Sequence, residues 1–266
     1  MRTRFWLVGG CVLGLASSPG IAADSPGPIC TDRPGKSSST CTVPKGHWQI
    51  ESGLADWSLT NSEGTRSTSL AIGGTALKYG VSDSMHVEVS GTPYVRGRER
   101  SGDGRTTVSG VGDVTVKVKQ RLTAADAAFS AALVPFVKLP TASKRIGNGK
   151  AEGGLVVPLS WAIGDTPLSL SSSPEVDLIA DGDGHGYHLA GVGTLSLGIT
   201  ASDRLSLAAE LWTGWDWDED TTRQASLGVN AAYKITSNLQ IDGQVDFGLT
   251  RDSPDIELAG GVSMRF

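Results

Sequence analysis

Charged residues recur in this sequence at every second position of segments that are otherwise apolar. Asp242 and Asp246 alternate with Ile241, Val245 and Phe247, and Lys117 and Lys119 alternate with Val116 and Val118. Lys138 stands between Val137 and Leu139, and Glu51, His86, Glu88, Arg121, Glu175, Asp177, Glu210 and Glu257 hold equivalent places in their own segments. Residues two apart on a strand share a face. If these segments are strands, their charges line one side and their apolar residues the other. Two kinds of chemistry fit such a lining: a polar path along which solutes pass, or ion pairs that fill a narrow interior. The residues leave both open.

Other clusters suggest less. Cys30 and Cys41 lie in a stretch rich in Pro, Gly and Ser, with ten residues between them. In an oxidising compartment such a pair is expected to form a disulfide, and it lacks the neighbouring ligands of a metal site. The run Asp181-Gly182-Asp183-Gly184-His185-Gly186-Tyr187-His188 offers carboxylates and imidazoles to a cation, but it lacks a full calcium-loop pattern and reads better as a glycine-rich loop. Trp215-Asp216-Trp217-Asp218-Glu219-Asp220 is an acidic loop tip beside tryptophans; it reads as a solvated loop, with divalent ions bridging lipopolysaccharide as the alternative. Gly147-Asn148-Gly149-Lys150 has neither the spacing nor the Ser/Thr of a phosphate-binding loop. The four histidines, His47, His86, His185 and His188, show no activating constellation with a serine. No metal, cofactor or catalytic activity is expected.

The elements that would hold these charges are strands. The 266 residues have a mean hydropathy of −0.08 and a net charge of −5. No basic excess points to nucleic acid, and no acidic block points to a disordered tail. After the N-terminus no run approaches the roughly 18–20 apolar residues of a membrane helix. From residue 45 onward the period is two, in segments of about ten residues, as in membrane β-barrels. Twelve strands are expected, starting near residues 47, 67, 85, 110, 127, 153, 168, 187, 204, 223, 239 and 256. The short connections are 80–84, 123–126, 164–167, 201–203 and 236–238. The longer polar ones are 60–66, 95–109, 140–152, 181–186, 217–222 and 250–255. Short turns alternating with long loops suggest an all-β, antiparallel, up-and-down transmembrane barrel with its turns in the periplasm. Lys or Arg facing lipid near the midplane costs about 2–4 kcal/mol, so the charges are expected to point inward, pair, or sit near strand ends.

At the N-terminus, Arg2 and Arg4 precede an apolar run from Phe5 to Ala16 and the small residues Gly20-Ile21-Ala22-Ala23. This reads as a secretory signal cleaved after Ala22 or Ala23. Too little apolar sequence precedes Cys11 for a lipid anchor. The expected division is a signal at 1–23, a periplasmic segment at 24–45 as a candidate plug carrying the Cys30–Cys41 disulfide, and an outer-membrane barrel at 46–266.

Several pieces, in order, resemble one family. They are Thr31-Asp32-Arg33-Pro34-Gly35, then Pro44-Lys45-Gly46-His47-Trp48-Gln49-Ile50-Glu51, then Leu77-Lys78-Tyr79-Gly80-Val81-Ser82-Asp83. Gly110-Val111-Gly112-Asp113-Val114, Val137-Lys138-Leu139-Pro140-Thr141 and the final Gly260-Gly261-Val262-Ser263-Met264-Arg265-Phe266 follow. The chain resembles the outer-membrane transporter family of the MetA-pathway of phenol degradation. Two features depart from the family pattern: Ser84-Met85-His86 after the first turn, and the Cys30–Cys41 stretch. The resemblance implies an outer-membrane channel passing small molecules, apolar or aromatic ones among them. It also implies that the closing strand, ending at Phe266, is read by the barrel-assembly machinery. Expected partners are outer-membrane lipid, lipopolysaccharide, that machinery and a small solute. A structural or adhesive barrel without transport is the alternative, and a lipid-modifying enzyme is a third, lesser one.

Overall fold

The computed structural model describes residues 26–102, 104–217 and 223–266. The signal expected at 1–23, together with Asp103 and the acidic loop tip 218–222, lies outside the described residues. Strands, with no helix, make up the regular structure of the rest.

The chain makes twelve crossings. The first is β1 (Trp48–Ser62). The next three are each divided in two: β2 (Thr65–Ile72) with β3 (Gly74–Ser82), β4 (Met85–Gly91) with β5 (Tyr94–Ser101), and β6 (Gly104–Gly110) with β7 (Val114–Arg121). The fifth is β8 (Phe129–Leu139). The sixth joins β9 (Glu152–Val156) to β10 (Leu159–Ala162), and the seventh joins β11 (Leu168–Ser172) to β12 (Glu175–Ala180). The last five are β13 (Tyr187–Thr200), β14 (Leu205–Asp216), β15 (Arg223–Thr236), β16 (Leu239–Gly248) and β17 (Ile256–Arg265).

Each crossing pairs antiparallel with its neighbours, and β1 pairs with β17, with Gln49 opposite Arg265 and Trp57 opposite Leu258. The ring is therefore a closed antiparallel barrel. Phe266 completes the seam: its N–H donates to Trp48 O and it accepts from Trp48 N, both at 2.9 Å. Closure matters because an unpaired backbone group in hydrocarbon costs several kcal/mol.

The two faces follow from the alternation. Val87, Leu197, Val229, Ile241, Phe247, Leu258 and Met264 point outward and are exposed, while the intervening Ser196, Glu210, Gln240, Asp246, Ser263 and Arg265 are buried. The molecule is thus polar inside and apolar outside, as a barrel in lipid must be. Aromatics mark one rim, with Trp48 on Tyr79 (centroids 4.7 Å apart) and Phe129 on Trp161 (5.2 Å). At the other rim Trp215 and Trp217 lie over Gly193 and Gly191, where no side chain intervenes.

The alternation slips at one level of the wall. In the first four crossings the outward row changes parity at Leu54, at Gly73, at Thr92–Pro93 and at 111–113. Each slip adds a residue and interrupts the ladder, as a bulge does. Gly73 has φ 72°, which favours glycine. Here the sequence near 69–79 shows no clean period.

Two expected loops are corrected. Residues 60–66 and 95–109 are strand for most of their length. Ser62 pairs with Thr65 around a turn at Glu63 and Gly64, both with positive φ, and Arg100 pairs with Arg105. Two positive φ values give the hairpin-favouring turn geometry. Beyond the lipid both faces of a strand meet water, so these segments lose the apolar alternation and read as loops. The strands expected to start near 67 and 110 start at Thr65 and Gly104.

A candidate transport lumen lined by paired charges

Residues 26–45 run inside the barrel, and the inward charges meet them from opposite sides. On one side, β1, β3, β4 and β7 place Glu51, Lys78, Glu88 and Lys119 together, all buried. Lys78 Nζ lies 2.6 Å from Glu51 Oε1, 2.6 Å from Asp32 Oδ2 and 3.6 Å from Glu88 Oε2. Lys119 Nζ donates to Asp32 Oδ1 at 2.6 Å and to Ser39 O at 2.8 Å. His86 Nδ1 accepts from Val43 N at 3.1 Å. Burial by itself would raise the Asp32 pKa, but Lys119 and Lys78 outweigh it and hold the carboxyl well below its usual range.

The opposite wall, β14 to β17, is acidic, and the segment presents cations and backbone donors to it. Arg33 pairs with Asp242 at 3.2 Å. Lys36 Nζ lies 2.6 Å from Glu257 Oε1 and 4.7 Å from the centre of the Trp212 ring. Glu210 accepts from Lys36 N at 2.6 Å, from Ser37 N at 3.1 Å and from Ser37 Oγ at 2.5 Å. Gly35 N donates to Gln244 Oε1 at 2.6 Å, and Gln244 in turn donates to Asp246 at 2.7 Å. Arg265 Nη2 donates to Gly27 O at 2.7 Å, and Gln49 Nε2 to Cys30 O at 2.9 Å. The Cys30–Cys41 disulfide closes this segment on itself, with Cα atoms 6.4 Å apart.

Small residues in the wall make room for it. A Cβ on Gly80 would overlap the carbonyl oxygens of Pro44 and Val43, and one on Gly261 would meet the Arg33 guanidinium at 2.5 Å. Ile29 and Val43 are almost wholly buried, as are the wall residues Ala132, Val134 and Val156. Between the segment and the wall a cavity of about 300 Å³ remains, lined by Asp32, Lys78, Glu88, Thr115, Lys117 and Lys119 among others.

The remaining candidates lie around this centre. Lys117 is 3.9 Å from Glu88 and 5.9 Å from the Phe136 ring centre. Lys138 bridges Asp113 (3.3 Å) and Glu152 (2.7 Å) near the outer end. Asp113 also accepts from Ala142 N at 2.7 Å, which ties loop 140–151 to the rim. Glu175 and Asp177 are on the same face of β12, and a Cβ on Gly154 would collide with Asp177 Oδ1. Arg121 sits apart from the rest: its Nη2 donates to Asp83 O in the first turn, at 2.9 Å. His188 lies between Asp181 and Asp216, its ring nitrogens 2.7 Å from each.

Sequence reasoning missed the centre of this arrangement. Lys78 is the hub, yet it stands in the stretch 69–79, whose sequence shows no clean period. Ala76, Lys78 and Gly80 are the inward row of β3, and the parity slip at Gly73 hides the row from a continuous count. Asp32, Arg33 and Lys36 carry no periodic signal because they are not in a strand.

Three comparisons place this geometry among known proteins. The family described as Putative MetA-pathway of phenol degradation matches residues 31–266. No curated protein sequence matches. Among solved structures, an outer membrane channel from Pseudomonas putida F1 superposes with a TM-score of 0.70 at 19% identity, over 88% of this chain and 99% of that one. The β domain of the Bordetella autotransporter BrkA superposes with a TM-score of 0.55 at 12% identity, over 84% and 100%. The translocator domain of the autotransporter NalP from Neisseria meningitidis gives 0.52 at 13%, over 84% and 90%. At these identities the likeness is one of fold, that of outer-membrane barrels.

Proposed function

The chain belongs to the family described as Putative MetA-pathway of phenol degradation, and from that premise we propose that it is an outer-membrane channel for passive passage of small molecules, with its lumen closed at rest by residues 24–45. The observation that carries this reading is the two-sided pairing of the described part of that segment. Asp32 faces the lysines of β3 and β7, while Arg33 and Lys36 face the carboxylates of β16, β17 and β14. An apolar filler would leave the buried lysines and carboxylates of the wall unpaired. This one is held by charged contacts, which can be exchanged for water and solute at modest net cost, because burying ions gains little over keeping them hydrated. The likeness in fold to an outer membrane channel supports the reading, and so does the apolar band of the outer face.

The solute must pass a lumen rich in paired charge, which suits a small polar or amphipathic molecule. Aromatic compounds, which the family description suggests, would meet Trp212 and Phe136 on the inner wall. Planar-bilayer conductance and liposome swelling test the proposal. The full-length protein is expected to show low, flickering conductance, and a variant lacking residues 26–45 a larger and steady one. If the deleted variant folds and gives neither conductance nor solute flux, the channel reading fails.

A further inference from the structure

Five arginines share the outward face of the extended hairpins at the outer end of the first four crossings. The rows follow from the register. Leu59, Thr68, Arg98 and Thr107 lie side by side across β1, β2, β5 and β6, and Asn61, Arg66, Arg100 and Arg105 form the next row out. One row inward, Trp57 and Leu70 adjoin Arg96. Arg100 is thus the direct cross-strand neighbour of arginines on both sides. Like charges placed opposite each other on a sheet repel. Among the described residues none of the five makes an ion pair with a carboxylate, and Arg98 Nε is buried without a hydrogen-bond partner. Glu99 alternates to the other face, and the nearby Asp255 carboxylate accepts from Asn61. Asp103 lies outside the described residues.

The depth of the cluster identifies its counter-charge. On the second crossing the outward apolar row runs from Tyr79, in the rim of aromatics, to Leu70. Nine residues at about 3.3 Å each, tilted as barrel strands are, rise about 23 Å. That is close to the apolar band of about 25 Å that such barrels present to lipid. Thr68 and Arg66 come one and two outward positions later, at headgroup height. Ile72 and Tyr94, both exposed, floor the cluster with apolar surface. Guanidinium groups carried in register on neighbouring strands, with the hydroxyls of Thr68 and Thr107 on either side of Arg98, suit phosphate oxygens.

We propose that this face is a binding site for the phosphorylated glycolipid of the outer leaflet. Arg66, Arg100 and Arg105 hold its phosphate groups, Arg98 and Arg96 reach the headgroup from below, and the acyl chains lie on Ile72, Leu70 and Trp57. The site rests on the outer-membrane placement of the barrel and is independent of what crosses the lumen.

Native mass spectrometry of the full-length protein in detergent tests it, with three probes: bisphosphorylated lipid A, lipid A stripped of phosphate, and phosphatidylglycerol. Wild type is expected to hold one bisphosphorylated lipid A, about tenfold more tightly than either other probe. The triple variant R66Q/R100Q/R105Q is expected to lose that preference, while Arg204→Gln in a turn at the opposite end keeps it. Should the triple variant fail to form a heat-modifiable barrel, Arg100→Gln alone is measured, with a loss of about threefold or more expected. Unchanged affinity in the folded variants, equal binding of dephosphorylated lipid A, or equal binding of phosphatidylglycerol each overturns the assignment. Bilayer conductance, recorded on the same variants, is expected to stay at the wild-type value, so failure here is distinct from failure of the channel reading.

Discussion

Lys78 concentrates the energetics of the lumen in one ammonium group. It is buried and within 2.6 Å of two carboxylates. Lys78→Met would keep most of the volume and leave Glu51 facing Asp32 with one cation fewer. Breaking a buried pair in this way costs about 3–5 kcal/mol, and a lower denaturant midpoint of the refolded barrel, together with larger conductance, is the expected result. Asp32 makes the same contact pH-sensitive. Its pKa in the folded protein lies well below the usual 3.8. The stabilisation it contributes is therefore complete above about pH 4–5 and is lost as pH falls through the lower, folded value. Conductance is expected to rise on acidification below about pH 4, and Asp32→Asn is expected to be open already at neutral pH. A flat pH response in wild type would show that Asp32 does not hold the segment.

Among the elements, the slips of parity lie in the first four crossings, while β13 to β17 are unbroken strands with one register shift, at Lys234/Thr236 near the end of β15. The slips at Leu54, Gly73, Thr92–Pro93 and 111–113 let one wall carry two outward rows of different parity, apolar below and arginine-rich above. The strand most constrained by the lumen is β3, where Gly80 admits the Pro44 carbonyl. Gly80→Val is expected to leave the barrel folded, as judged by heat-modifiable migration, while displacing residues 43–45. Increased protease sensitivity of the N-terminal segment and a higher conductance would report that displacement. Val at the outward neighbour Val81 is already tolerated, so a loss of folding in Gly80→Val would indicate that the contact serves assembly of the wall.

For the whole molecule, the segment and the wall divide charge between them. The β14 to β17 side is acidic, with Glu210, Asp242, Asp246 and Glu257, and Arg33 and Lys36 lie against it. Deleting 26–45 removes those cations and leaves the carboxylates facing water. The open lumen is then expected to prefer cations, read as a reversal potential of the corresponding sign in a KCl gradient, and to lose that preference in high salt as screening shortens. Reducing the Cys30–Cys41 bridge frees a loop whose closure limits the segment's unfolded states. Dithiothreitol is expected to raise the open probability of wild type and to leave Cys30→Ser/Cys41→Ser unchanged.

The alternation of Ile241, Val245 and Phe247 with Asp242 and Asp246 was enough to assign strand, inner face and outer face, because a period of two forces neighbouring side chains to opposite sides of a sheet. Repeated in most of the twelve expected segments, with no apolar run after the N-terminus long enough for a membrane helix, it left a closed barrel as the sheet that satisfies its own backbone in lipid. The same rule failed where the chain leaves the lipid: 60–66 and 95–109 read as loops because water on both faces removes the need to alternate. It also failed at Gly73, where one extra residue reverses the parity. What the tertiary structure alone decided is partnership. Asp32, Lys78 and Glu51 are far apart in sequence, and so is Arg66 from the Arg100–Arg105 hairpin. Only the register of neighbouring crossings, and the path of 26–45 through the interior, brings like charges together on the outer face and opposite charges together within.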